Sequence, residues 1–149
     1  MLRRFVSWRA PGARPGPGEE GVAALEFAIV APLFLALVFG IIVYGIYFTI
    51  WIAVTEAASE GARASVAGLD TAERVSLATA EVTNFFNAYG PMLSLSHATV
   101  VAEQVPGNAG AFEVAVTYNL SSLGLGTLAG LLPIPTATPT ATVIVSNGG

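Results

Sequence analysis

The chain contains no cysteine and no lysine. Without thiols it builds neither a disulfide framework nor a thiolate metal site, so its sequence leaves the redox compartment open. Without lysine none of its glycines belongs to a phosphate-binding loop; Gly124, Gly126 and Gly130 lie in an apolar stretch with no charge beside them. Histidine is nearly absent too. His97 stands alone, at the start of a predicted strand and with no nucleophile elbow elsewhere, which fits an ordinary strand residue better than a Ser-His-acid arrangement. Charge is scarce: six arginines and ten acidic residues among 149 give a formal net charge of -4. The acidic C-terminal portion has no basic patch, which argues against a nucleic-acid partner. Glu103 and Glu113 are expected to approach one another across a hairpin, but two exposed carboxylates without a cleft do not make a glycosidase. The expectation is a non-enzyme with no cofactor and no metal.

What the chain has instead is an uninterrupted apolar run. Residues 27–55 carry no charge; as a helix rising about 1.5 Å per residue they exceed the roughly 30 Å of a bilayer's hydrocarbon. The run therefore reads as a transmembrane helix over residues 22–55, with Tyr44, Tyr47, Phe48 and Trp51 as an interfacial belt near one end. Arg3, Arg4, Arg9 and Arg14 precede it and only Arg63 and Arg74 follow. The positive-inside tendency then assigns residues 1–21 to the cytoplasm as a leader rich in Arg, Pro and Gly, and residues 56–149 to the far side as one small exported domain. A secretory signal cut near Ala57, Ala58 or Ala62 is the competing reading, and the run is about twice the usual 7 to 15 residues of such a signal.

The expected fold class is α+β. The first helix continues past the membrane through residues 51–68, where Ala57, Ala58, Gly61, Ala62 and Ser65 form a small-residue face able to approach a neighbouring helix or the chain's own sheet. Glu60 and Arg63 form a weak surface pair, and Gly68 interrupts the helix. Asp70 and Glu73 have the spacing of a capping box that opens a second, amphipathic helix. Its apolar stripe is Val75, Ala78, Val82, Phe85 and Tyr89, its polar side includes Glu73, Arg74, Glu81 and Asn84, and Gly90 and Pro91 end it. Residues 97–105 and 111–119 read as antiparallel strands joined by Pro106-Gly107-Asn108-Ala109-Gly110. Phe112, Val114, Val116 and Tyr118 make one bulky face suited to the second helix. Residues 120–135 read as an apolar loop or short helical turn that touches membrane or a partner. Residues 138–146 read as a third strand with Pro139 at its start or edge, or else as a loose tail.

Gly21, then four residues, then Glu26-Phe27 at the head of the apolar run resembles the processing site of type IV prepilin-like proteins. More specifically, GVAALEFAIVAPLFLALVFGI with EAASEGARA downstream resembles the TadE-like family of pseudopilins from tight-adherence, Flp-type pilus systems. The resemblance covers about Gly21 to Gly68 and rests on Glu26-Phe27, on Pro32 six residues after the Glu, and on Gly61-Ala62-Arg63. It implies a cut after Gly21 by a membrane prepilin peptidase, Val22 as the new N-terminus, and a minor pilin-like subunit whose partners are other pilin-like subunits, the inner-membrane assembly platform and the lipid bilayer. Physically, Gly21 supplies the small residue for a peptidase cleft, and the ammonium of Val22, in the same chain or a neighbour, supplies a mate for Glu26 that fixes register. Glu26 also benefits from the helix N-terminus. The alternative is an uncleaved single-pass envelope scaffold or adhesin, in which Glu26 is an interfacial residue of a plain anchor. Arg63 is a candidate contact to an acidic partner or a solvating charge, and Pro32 a point of unwinding or a harmless kink.

Overall fold

The computed structural model describes residues 19–90, 93–123 and 137–146. The chain divides into two units, Met1–Val38 and Phe39–Gly149. One helix, α1 (Glu19–Ser65), contributes to both, and Pro32 lies inside it. In the first unit nearly every side chain of α1 from Val22 to Leu37 is exposed, on all faces of the helix. Such a surface suits hydrocarbon and not water. By length and composition α1 is the one helix among the described residues able to cross a membrane, which supports a topology with a single span. Arg3, Arg4, Arg9 and Arg14, and Pro11, Pro15 and Pro17, of the expected leader lie outside the described residues.

The second unit is an α+β layer. After α1 come α2 (Thr71–Tyr89), β1 (Ala98–Gln104), β2 (Ala111–Tyr118) and β3 (Thr140–Ser146). The three strands form an antiparallel sheet in the order β1-β2-β3. In the central strand Phe112, Val114, Val116 and Tyr118 are all fully buried, so the period-2 alternation read from the sequence selects the face that the helices cover. The core joins these four to Val54, Ala57, Ala58 and Ala62 of α1 and to Ala78, Val82 and Phe86 of α2. Burial of each large member contributes about 1.5 to 3 kcal/mol. Phe86 and Tyr118 stack with ring centroids 6.0 Å apart, and the Tyr118 hydroxyl accepts the Ser94 amide at 3.3 Å.

The turn chemistry follows the sequence closely. The Asp70 carboxylate accepts the Glu73 amide at 2.8 Å, and the Glu73 carboxylate reaches back to the Leu69 amide, also at 2.8 Å. That reciprocal pair starts α2. Gly90 caps its other end at φ 63, and Gly107 turns the β1-β2 hairpin at φ 79, both in the left-handed region that glycine occupies without steric cost. Pro139 sits just before β3, where its carbonyl accepts the Tyr118 amide at 3.0 Å and no amide of its own is needed. Leu120–Leu123 is a short 3-10 turn; the rest of the apolar stretch read as a loop, and Pro91, lie outside the described residues.

The stripe on α2 is rotated from the sequence expectation. Arg74, Ala78, Val82 and Phe86 are its buried residues, whereas Val75 and Phe85 are only partly covered and Tyr89 is exposed. Two adjacent phenylalanines fit a helical period almost equally well, and the planar fit of Phe86 on Tyr118 decides between them. Arg74, expected on the solvated side, is 7% exposed: its guanidinium lies 4.6 Å over the Phe112 ring, and its Nε donates to the Ser65 carbonyl at 3.1 Å. A cation at the C-terminal end of α1 offsets the helix dipole and adds a second hydrogen bond to a carbonyl that the Gly68 amide also meets at 3.2 Å.

The α1-α2 turn has no room for a side chain at Gly68. A Cβ there would fall 2.7 Å from the Arg74 amide nitrogen and 2.9 Å from its Cα. Gly68→Ala is therefore expected to destabilise the second unit by about 1 to 3 kcal/mol, as overpacking does. A thermal melt followed by circular dichroism in detergent checks this; an unchanged melting temperature would mean that the turn yields at little cost.

Candidate functional site

Gly21 lies in the first turn of α1, two residues after the helix begins. It is exposed, and a Cβ built on it would meet nothing within 4 Å. Nothing in its own surroundings requires glycine, so a requirement for a small residue would have to come from whatever grips the chain. Val22, Glu26 and Phe27 are exposed on the same helix. Val22 and Glu26 are four residues apart, one turn along one face. Pro32 has no amide to donate to the carbonyl of Ala28, yet the helix runs through it. These residues share one exposed helix. Their surroundings offer apolar contact and one carboxylate, a basis for helix association and not for bond chemistry.

The Gly61-Ala62-Arg63 element is divided between inside and outside. Gly61 and Ala62 are buried. A Cβ on Gly61 would fall 2.7 Å from Val82 Cγ2, 3.2 Å from the Ala78 carbonyl oxygen and 3.3 Å from Val114 Cγ1. The small-residue face from Ala57 to Ser65 is thus taken by the chain's own α2 and β2. Arg63 points outward with a side chain 77% exposed, and pairs with Glu60 at 3.6 Å. Of the three residues read as a candidate partner contact, Arg63 alone is open to a second molecule.

Residues 43–55 of the predicted span lead a double life. Val43, Tyr47, Ile50, Ala53 and Val54 face the core, while Ile46, Phe48, Trp51 and Ile52 remain exposed. Tyr47, expected in an interfacial belt, is instead 7% exposed and edge-on to Phe48 at 5.7 Å. The hydroxyls of Thr49 and Thr55 donate back to the Gly45 and Trp51 carbonyls at 2.8 and 2.9 Å, which removes their polarity from the helix surface. At the end of this stretch Glu56 accepts a hydrogen bond from the Tyr89 hydroxyl at 3.3 Å. Desolvation, and then the charge and hydrogen bond of Glu56, raise the Tyr89 pKa above its ordinary value of 10.0. No sequence signal pairs residues 33 apart. The Arg74 contact, by contrast, had one in the i, i+4 series Arg74, Ala78, Val82, Phe86.

The residues weighed as catalytic candidates stay apart or in the open. His97 closes a 3-10 turn just before β1, with its ring edge-on to Tyr118 at 6.2 Å. Glu103 and Glu113 are direct cross-strand partners on the face of the sheet away from the helices, with Ile144 beyond them, and no cleft lies between them. Among the described residues, no group of three or more His, Asp or Glu is placed to hold a metal ion.

In comparison with known proteins, residues 21–63 match the family described as TadE-like protein, and residues 64–149 lie outside the match. No curated protein and no solved structure matches the chain.

The Tyr89-Glu56 pair makes a testable statement about pH. A raised tyrosine pKa means that folding favours the neutral phenol, so this contribution is complete below pH 10 and is lost as the pH rises through the folded-state value. Glu56→Gln is expected to lower the Tyr89 pKa while leaving it above 10.0, because desolvation, its largest cause, remains. Titration of the Tyr89 ring carbon by NMR reads this directly; an unchanged value in the variant would mean that the carboxylate does not act on the phenol.

Proposed function

We propose, from the match of residues 21–63 to the TadE-like family, that this chain is a minor pilin-like subunit of a tight-adherence type of surface filament. That match and the one described helix able to cross a membrane support a pilin-like role in the envelope. The finer reading is that the chain is inserted with its N-terminus in the cytoplasm and its C-terminal domain exported across the inner membrane. A prepilin peptidase then trims it after Gly21, and it joins other pilin-like subunits and the inner-membrane platform in building an adhesive filament.

The observation that carries this reading is the placement of Gly21. The family match begins at that residue, and the residue stands in the first turn of α1, where a helix frays most readily, with an open surface all round it. Cleavage there would create an ammonium one helical turn before Glu26, at the edge of an apolar run. A carboxylate entering that run costs about 2.5 to 3.5 kcal/mol at a helix centre and less near an interface, and a fixed positive mate offsets the cost. In a filament the same attraction, made between subunits, would set their axial stagger.

The mass of the protein extracted from its native membrane tests the proposal. Loss of residues 1–21 with α1 retained is expected; a chain that functions while keeping Met1 to Gly21 would instead be the uncleaved envelope scaffold or adhesin. Gly21→Val is expected to block trimming. Glu26→Gln is expected to leave insertion intact and to lower the amount of subunit recovered in the sheared surface fraction several-fold; equal recovery would remove the registry role of Glu26.

A further inference from the structure

Within the second unit an apolar groove of ≈ 520 Å³ runs along α1. Ile42, Ile46 and Thr49 form one side, with Tyr89, Leu93 and Leu123 on the other. The Thr49 hydroxyl is folded back onto the Gly45 carbonyl, so the wall presents its methyl group, and the Tyr89 hydroxyl is directed to Glu56 at 3.3 Å, leaving the ring to the groove. The apolar surface continues beyond the groove, because Phe39, Phe48, Trp51 and Ile52 are also exposed on α1. In water this would be a costly patch for so small a domain.

Charge along α1 says what covers it. The helix is uncharged from Phe27 to Thr55, bounded by Glu26 and Glu56. Thirty residue steps at about 1.5 Å come to about 45 Å, close to the 40 to 45 Å of a whole bilayer including its headgroup layers and well beyond its hydrocarbon core of about 30 Å. With each glutamate at an outer edge, Ile42 to Thr49 fall among the acyl chains of the far leaflet, from just past the midplane to about 3 Å short of its interfacial layer. We infer that the groove takes a hydrocarbon chain of a membrane lipid, so that the edge of the exported domain carrying Tyr89, Leu93 and Leu123 sits within the leaflet, with the Tyr89-Glu56 hydrogen bond at its water boundary. Tyrosine suits that level, with an apolar ring and a polar tip. The inference rests on the membrane span and not on cleavage at Gly21.

The absence of cysteine makes the test direct. Single-cysteine variants Leu123→Cys and Ile46→Cys carry a nitroxide label in vesicles of phosphatidylethanolamine and phosphatidylglycerol. Ile29→Cys, within the span, and Asn108→Cys, in the hairpin turn, serve as lipid and water references. Collision with oxygen, which concentrates in hydrocarbon, is compared with collision with a water-soluble nickel chelate. Leu123 and Ile46 are expected to resemble Ile29, with oxygen favoured several-fold over nickel, and Asn108 to show the reverse. Should either variant misfold, Thr49→Cys on the same wall gives the same reading. Nickel access at Leu123 with an oxygen-rich Ile29 would overturn the inference and leave the span standing. Exclusion of both reagents from Leu123 would also overturn it, because the groove would then be filled by protein, a second copy or the chain itself. Nickel access at Ile29 would remove the span and the inference together.

Discussion

At Gly61 three elements meet at a distance that no side chain would allow: the α1 backbone, Val82 and the Ala78 carbonyl of α2, and Val114 of the central strand. The second unit depends on this approach. Ala57, Ala58 and Ala62 extend the same thin face, so α1 lies against its own second helix and sheet, and the residues lost to small size on α1 are replaced by Phe112, Tyr118 and Phe86 opposite. Arg74 closes the far end by binding the last turn of α1 while its stem crowds Gly68. A helix that is anonymous and apolar all round near its start thus becomes, further along, one face of a specific core.

This division of one helix between two solvents accounts for the distribution of polar groups. From Phe27 to Thr55 the described hydroxyls of Thr49 and Thr55 are returned to the helix that carries them, and charge begins only with Glu56. Beyond that point polar side chains take up local work: Glu60 with Arg63, Asp70 with Glu73, Asn108 at the hairpin turn. The chain spends almost none of its few charges on binding chemistry, in keeping with a protein that acts through association. The carboxylate of Glu26 is the exception, set into an apolar helix where the fold itself gives it no reason to be. That is why its role is sought in a group that processing would create.

Much of this architecture was legible in the residues. The uncharged run, the Asp70-Glu73 cap, the Gly107 turn and the alternating face of β2 are local signals, each with its cause within a few residues. What escaped needed a tertiary partner to decide it. Phe85 and Phe86 are indistinguishable by period until Tyr118 selects one, and Arg74 reads as a surface charge until the Phe112 ring and the Ser65 carbonyl cover it. The Ala57 to Ser65 face read equally well as an intersubunit or an internal contact, and the buried Gly61 and Ala62 show it used internally. For Gly21, Val22, Glu26 and Pro32 the sequence spoke through pattern and resemblance; the fold adds that they share one exposed helix and that nothing in it explains them.

The central claim is that the second half of α1 is part of the core of the second unit, so that its last turns are as hard to open as the sheet. Hydrogen exchange of the backbone amides in lipid vesicles tests it most directly. The amides of Ala53 to Ser65 should exchange as slowly as those of Phe112 to Tyr118, opening only when the whole domain unfolds. Rapid exchange over Ala53 to Ser65 beside a protected sheet would show that the helix is a tether and not a part of the core, and the account would fail.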